Sequence, residues 1–213
     1  MRIFSVTPIH VGPDELARRQ ARYEALAPAG LEVVLADLPA SAPRTFDTAD
    51  AIAASDGLVA EALSRHPVDI DALLPDCVLD PAVEKLRGRV GVPVFGILRL
   101  ALGWHVAQCG RSVSAVVRNA PIAAELRRQA GLAGFGDALG DVDVLDLDFD
   151  AVADGDAWSR ALAPAVAGAA ARGNRVVVNG CSAVELPPET SAGVRVVDPT
   201  ALALRLLAAG EAA

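Results

Sequence analysis

A short β-branched run followed by a longer helical pattern recurs along this chain, and the whole series is repeated in the same order. In the first half, Ile3–Thr7, Leu31–Ala36, Ile70–Leu74 and Val92–Ile97 read as strands, with helical patterns at Pro13–Leu26, Ala49–Ser64 and Pro81–Leu86 between them. In the second half, Ser112–Val117, Val142–Leu147, Arg175–Val178 and Val194–Val197 read as strands, with helices at Ala120–Ala130, Trp158–Ala171 and Thr200–Ala209. Strands that are nearly continuous in apolar residues, linked by crossover helices, imply parallel sheets covered on both faces. The expected fold is therefore α/β, with two pseudo-symmetric lobes, each a four-stranded parallel sheet flanked by helices, and an active site in the cleft between them. Residues 1–97 form the first lobe and 98–199 the second, which opens with a helix over Leu98–Gln108. The C-terminal helix, 200–213, is free to pack back on the first lobe. The stretch Gly131–Asp141 is a loop by composition. A single doubly wound sheet of eight strands is the alternative.

Composition narrows the function classes. The chain of 213 residues is 53% hydrophobic and only 4% aromatic, so Ala, Val and Leu must fill its core. With 27 acidic against 19 basic residues, its net charge of -8 repels phosphate backbones, and nucleic acid is not an expected partner. The apolar run after Met1 stops at Pro8, too short for a secretion signal, and no apolar stretch reaches the roughly 20 residues of a membrane helix. These features predict a cytoplasmic protein without a membrane partner, and they leave open a homo-oligomer. Three cysteines at wide spacing suit a reducing compartment in which thiols stay free.

Two of those thiols occupy matching places. DIDALLPDCVLDP sets Cys77 after the third strand of the first half, and NRVVVNGCSAVEL sets Cys181 after the third strand of the second. Ligands of parallel α/β sheets bind beyond the carboxyl ends of the strands, so both sulfurs fall where a site is expected. Each cysteine also precedes an expected helical start, where free N–H groups and the helix dipole would favour a thiolate. Racemisation at a carbon next to a carbonyl needs a base on one face and an acid on the other. A thiolate and a thiol meet that need, while N–H groups after each cysteine steady the enolate oxygen. The substrate expected is a small carbon acid, with no cofactor and no metal.

The residues around these cysteines resemble a known family. DALLPDCVLDPAVEKLRGRVGVPVFGI is similar to the hydantoin racemase signature, in which a catalytic cysteine is followed by an acidic-Pro pair, a short helix and a PVxGI strand. VVVNGCSAV resembles the second signature, a strand ending in Gly-Cys-small. The resemblance covers nearly the whole chain and points to the aspartate, glutamate and hydantoin racemases, a superfamily that includes maleate isomerase and arylmalonate decarboxylase. It implies that Cys77 and Cys181 are the catalytic pair. The decarboxylase keeps only the second cysteine, so two cysteines argue for proton transfer on two faces. A cis-dicarboxylate isomerase or decarboxylase of the same superfamily is the alternative activity, and a non-catalytic two-lobe binding protein is the alternative outside enzymes.

This chain departs from the family pattern at several points. The first strand of hydantoin racemases ends in an Asn-Pro-Asn-Thr-like turn, whereas Thr7, Pro8, Ile9 and His10 stand here. The second-lobe strand ends in Val117, Arg118 and Asn119 rather than Val-Thr, and Val78 follows the first cysteine where many members place Asn or Thr. The candidate substrate-binding residues are accordingly Thr7, Pro8, His10, Val78, Arg118, Asn119, Gly180 and Ser182, with Arg118 able to clamp a carboxylate. Asp76 and Asp80 flank Cys77, and Asp80 before Pro81 is placed to cap the next helix. Cys109 at a helix end reads as structural, and neither His66 nor His105 belongs to a zinc motif. No nucleotide-binding glycine motif and no serine-hydrolase elbow is present.

Overall fold

The computed structural model describes residues 1–110, 113–186, 190–191 and 193–211. The first half of the chain runs β1 (Arg2–Val6), α1 (Pro13–Leu26), β2 (Glu32–Ala36), α2 (Ala49–Ser64), β3 (Ala72–Leu73) and α3 (Val83–Leu86). The second runs α4 (Ile97–Cys109), β4 (Val113–Val117), α5 (Ala120–Leu132), β5 (Leu139–Val144), α6 (Gly155–Ala171), β6 (Val176–Asn179), β7 (Thr190–Ser191), β8 (Val194–Val197) and α7 (Pro199–Glu211). Two compact units result: Met1–Ile97 together with the segment from Thr200 onward, and Leu98–Pro199. The two sheets are separate, so a single eight-stranded sheet is not formed.

The sheet of the first unit has the order β2-β1-β3, all parallel, with Phe4 opposite both Val34 and Leu73. It has three strands rather than the expected four. Of the predicted strand Val92–Ile97, only Val94 pairs, through an isolated parallel bridge to Leu73. Pro93, which lacks a donor, and the early start of α4 at Ile97 leave no room for a longer ladder. The sheet of the second unit has the order β5-β4-β6-β8-β7. Four of its strands are parallel, as expected, and β7 adds an antiparallel edge to β8 that the sequence reading lacked.

Local chemistry accounts for the elements. The β4 and β6 segments VSAVV and VVVN are buried at every position, as a parallel strand covered on both faces must be. Pro13 opens α1 with Asp14 and Glu15 in its first turn, and the Thr48 hydroxyl accepts the Ala51 N–H at 3.2 Å to cap α2. Asp154 caps α6 in the same manner. The apolar core of the first unit gathers Phe4, Val6, Val59, Leu63, Leu73 and Val94 between α2 and its sheet. Trp158 of α6, fully buried, packs with Leu162, Val166, Val116, Val177 and Val194 in the second. Between those elements, the expected loop Gly131–Asp141 is shorter than its composition suggested: α5 runs on to Leu132 and β5 begins at Leu139, two glycines notwithstanding. Ser112, expected to begin the first strand of the second half, lies outside the described residues.

Two glycines give opposite tests of this packing. Gly180 lies so close to β4 that a Cβ would overlap the Val116 carbonyl oxygen and Val117 Cγ1, whereas a Cβ on Gly57 of α2 meets nothing within 4 Å. Gly180→Ala should destabilise the protein by about 1–3 kcal/mol through overpacking. Gly57→Ala should stabilise it by roughly 0.5–1 kcal/mol through helix propensity. Chemical denaturation of both variants measures the difference.

Candidate active site

In each unit the cysteine reaches the carboxyl edge of the sheet by the same construction. The residue before Cys77 donates its backbone N–H to the last carbonyl of the central strand, Asp76 N to Val6 O at 3.0 Å. The residue before Cys181 does likewise one carbonyl from the end of its central strand, Gly180 N to Val116 O at 2.7 Å. The strand that carries each cysteine thus lies beside the central strand and is tied to it at the point where the chain leaves the sheet. Neither cysteine is in a disulfide, and Cys77 is buried while Cys181 is partly exposed.

The turn after each cysteine differs from the expected helical start. The four-residue α3 begins only at Val83, and no helix follows Cys181 among the described residues before α7. Proline and small polar residues after each thiol favour turns, so the dipole of an adjoining helix is not the device that serves these sulfurs. A turn amide replaces it at Cys77, where Leu79 N–H points at Sγ from 3.4 Å. Asp80 likewise does not cap α3 with its side chain. Ala82 is the capping position, at φ 66°, and its N–H is taken by Asp56 of α2 at 2.6 Å. Asp80, itself at φ 49°, is buried with its carboxylate against Gly96, where no side chain would fit.

The loop between β1 and α1 is organised by Asp37, a residue the sequence reading passed over. Its carboxylate accepts the Thr7 hydroxyl at 2.7 Å, the Gly12 N–H at 2.9 Å and the Val11 N–H at 3.1 Å. The Thr7 hydroxyl in turn accepts Leu38 N–H at 3.3 Å, so it holds loops together. Pro8 is buried, and its carbonyl accepts a hydrogen bond from the Ser55 hydroxyl of α2. His10 Nδ1 lies 2.9 Å from both the Leu38 carbonyl and Asp37 Oδ2. Both partners are acceptors, which assigns the proton to Nδ1 and leaves Nε2 as the ring's other polar atom. Burial alone would raise the Asp37 carboxyl, but the bonds from Thr7, Val11 and Gly12 and the nearby His10 hold it below its ordinary 3.8.

A second cluster joins α1 to the residue before Cys77. Asp76 accepts Arg19 Nη1 and the Tyr23 hydroxyl, each at 2.9 Å, and all three side chains are buried. Their spacing on α1, four residues apart, was the available signal. Val78, following Cys77, is fully packed as an apolar residue.

In the second unit, Asn119 caps α5 by accepting the Ile122 N–H at 3.0 Å. The buried Arg118 guanidinium donates to the Leu147 carbonyl at 3.2 Å and lies 5.7 Å from the Phe149 ring centroid, so its side chain meets the segment after β5. Ser182 is buried beside Cys181. Asn179, also missed from the sequence, donates Nδ2 to the Cys181 carbonyl at 2.9 Å and holds that residue from two positions back. Cys109 and His105 are away from this edge, on the last turns of α4, and His66 follows α2. Among the described residues no three His, Cys, Asp or Glu side chains are grouped as metal ligands, and no helix is long and apolar enough to cross a membrane.

Fold and site together define an α/β protein of two like units, each of which brings one cysteine to the carboxyl edge of its sheet. The family described as Asp/Glu/Hydantoin racemase matches residues 15–207, and the chain belongs to that family. No curated protein matches it. Among solved structures, it is similar to an allantoin racemase from Pseudomonas fluorescens, with TM-score 0.85 and 19% identity, over 98% of this chain and 90% of that one. An allantoin racemase from Klebsiella pneumoniae is similar with TM-score 0.78 and 20% identity, over 100% and 88% of the two chains. Glutamate racemase from Campylobacter jejuni follows with TM-score 0.64 and 16% identity, over 99% and 86%.

Asp37 yields a pH test. A carboxyl held low in the folded state adds stability above its unfolded pKa, and that stability is lost as pH falls through the folded value. The stability lead of the parent over Asp37→Asn should therefore be full at neutral pH and should shrink as pH falls below 3.8. Thermal melts of both proteins between pH 7 and pH 2 follow it, and a lead independent of pH would refute the assignment.

Proposed function

We propose that this protein is a cofactor-independent racemase that removes and returns a proton at a carbon next to a carbonyl, with Cys77 and Cys181 as the exchanging base and acid. The observation that carries the reading is the matched tether of the two cysteines, Asp76 N to Val6 O and Gly180 N to Val116 O. Equivalent chemistry at equivalent places in two like units is what a reaction symmetric in its two directions requires. One sulfur works as thiolate and takes the proton from one face. The other works as thiol and delivers a proton to the opposite face, and the roles exchange when the substrate has the other hand.

The substrate class is a carbon acid of the cyclic ureide or amino acid type. Allantoin racemases are the structures of highest TM-score named above, which favours the ureide, a ring whose acidic carbon lies between a carbonyl and a nitrogen. The enolate oxygen that develops needs donors in place before reaction, and backbone N–H groups of the turns after the cysteines are of the right kind. Thr7, His10, Arg118 and Asn119 stand at the ends of the central strands, where substrate contacts are proposed. Cysteines outside any disulfide suit a reducing, cytoplasmic setting.

The test is exchange at carbon in deuterium oxide, read by mass spectrometry and polarimetry on enantiopure hydantoins, allantoin, aspartate and glutamate. The parent should exchange and racemise one class, with and without a chelator. Cys77→Ser and Cys181→Ser should each abolish racemisation, because an alcohol has too high a pKa to act as the base. Each variant should still allow exchange in one enantiomer and not in the other, in opposite senses. Cys109→Ser should keep turnover within a few-fold of the parent. Full racemisation by either site variant would remove the two-base mechanism, and dispensability of Cys77 alone would favour a one-cysteine reaction.

A further inference from the structure

We infer that Asp76, clamped by Arg19 and Tyr23 of α1, is a positioning residue that sets both the placement and the charge of Cys77. This rests on the reading of Cys77 as one of the acid–base pair.

The placement follows from the bonds. Asp76 is 2% exposed, Tyr23 2% and Arg19 5%. Both carboxylate oxygens are occupied, Oδ2 by Arg19 Nη1 and Oδ1 by the Tyr23 hydroxyl, each at 2.9 Å. The Asp76 N–H is bonded to Val6 O at 3.0 Å. The residue is thereby fixed to β1 through its backbone and to α1 through its side chain, and the peptide bond into Cys77 inherits that restraint. Arg19 is held in turn by Glu15, Nε to Oε1 at 2.8 Å. A buried ion pair is a poor source of stability, since packed apolar side chains often serve as well, so fixing a geometry is its better-attested use.

The charge follows from the neighbours. A bare carboxylate one residue from a thiol would oppose thiolate formation. Here the guanidinium of Arg19 lies against that carboxylate. Burial would lower the Arg19 pKa, but Asp76 and Glu15 drive it above the ordinary value, so the guanidinium keeps its charge. Burial and the Asp76 carboxylate push the Tyr23 phenol well above its ordinary value, which keeps it a donor. The other charged groups of the surrounding elements include Asp80 on the segment of Cys77 itself and Glu15, Arg18 and the buried Arg22 on α1. Asp37 and His10 lie in the loops, and Asp56 of α2 is paired with Lys85 of α3. Of these carboxylates, Asp76 alone is bonded to Cys77 in sequence, and Arg19 is ion-paired with it at 2.9 Å.

Alkylation of the full-length protein by iodoacetamide, followed peptide by peptide across pH, reads this directly, with Cys109 as the internal reference. Arg19→Met should raise the pH midpoint for Cys77 by about one unit or more and leave Cys109 unmoved. The double variant with Asp76→Asn should bring the midpoint back toward that of the parent. Asp76→Asn alone, which keeps the shape, should lower kcat by about ten- to a hundredfold with KM little changed, as a misplaced reacting group does. If Arg19→Met does not fold, Arg19→Lys, which retains the charge, should keep the parent midpoint while lowering kcat. An unmoved Cys77 midpoint in folded Arg19→Met, a shifted midpoint in Arg19→Lys, or a parental kcat in Asp76→Asn would overturn the proposal. Alkylation does not depend on turnover. A shifted midpoint in a protein that racemises nothing would therefore defeat the functional reading and leave the charge clamp standing.

Discussion

The carboxyl edge of each sheet depends on the central strand, which lies between two parallel partners and is buried on both faces. In the first unit β1 is flanked by β2 and β3, and in the second β4 is flanked by β5 and β6. Parallel pairing fixes the level at which a neighbouring strand ends, because each residue of the ladder is bonded in turn along one direction. The backbone bonds to Val6 and Val116 extend the ladder past the last regular pair. They set where each chain turns away, and with it the height of each cysteine. A slip of one residue would reverse every side chain and move the thiol off the edge.

Around these tethers, the two units use different polar chemistry. The first relies on carboxylates: the partly buried Asp37 gathers the β1–α1 loop and the buried Asp76 meets α1. The second relies on neutral or cationic groups: Asn119 caps α5, Asn179 holds the Cys181 carbonyl and Arg118 rests against Phe149. Likeness of backbone with difference of side chain suits the proposed proton transfer on two faces of an unsymmetrical substrate. The acid and base must be matched, whereas the groups that recognise the rest of the molecule must not be.

Much of the architecture was legible in the sequence because it rests on periodicity. The buried strands VSAVV and VVVN, the crossover helices and the matched cysteines all follow from runs and repeats. What escaped depends on contacts between residues distant in sequence. Val94 pairs only through a single bridge because Pro93 and the start of α4 crowd it, and β7 exists only as a partner for β8. Asp37 and Thr7 are 30 residues apart, and Asp76 and Arg19 are 57 apart. No local pattern marks an aspartate as the hub of a loop or the mate of a helix arginine. The expected helix dipoles at the cysteines failed for a related reason: turn residues after a strand show that the chain bends there, not that a helix begins at once.

The C-terminal helix α7 belongs with the first unit, although the whole second unit separates it from the rest of that unit in sequence. The second unit is thus continuous along the chain, and the first is not. During synthesis, which proceeds from the N-terminus, the second unit has all of its residues before the first has its last helix. The order of completion on the ribosome is therefore the reverse of the order in sequence. The first unit must wait with part of its surface uncovered, and its assembly carries the entropy of closing a loop as long as a domain.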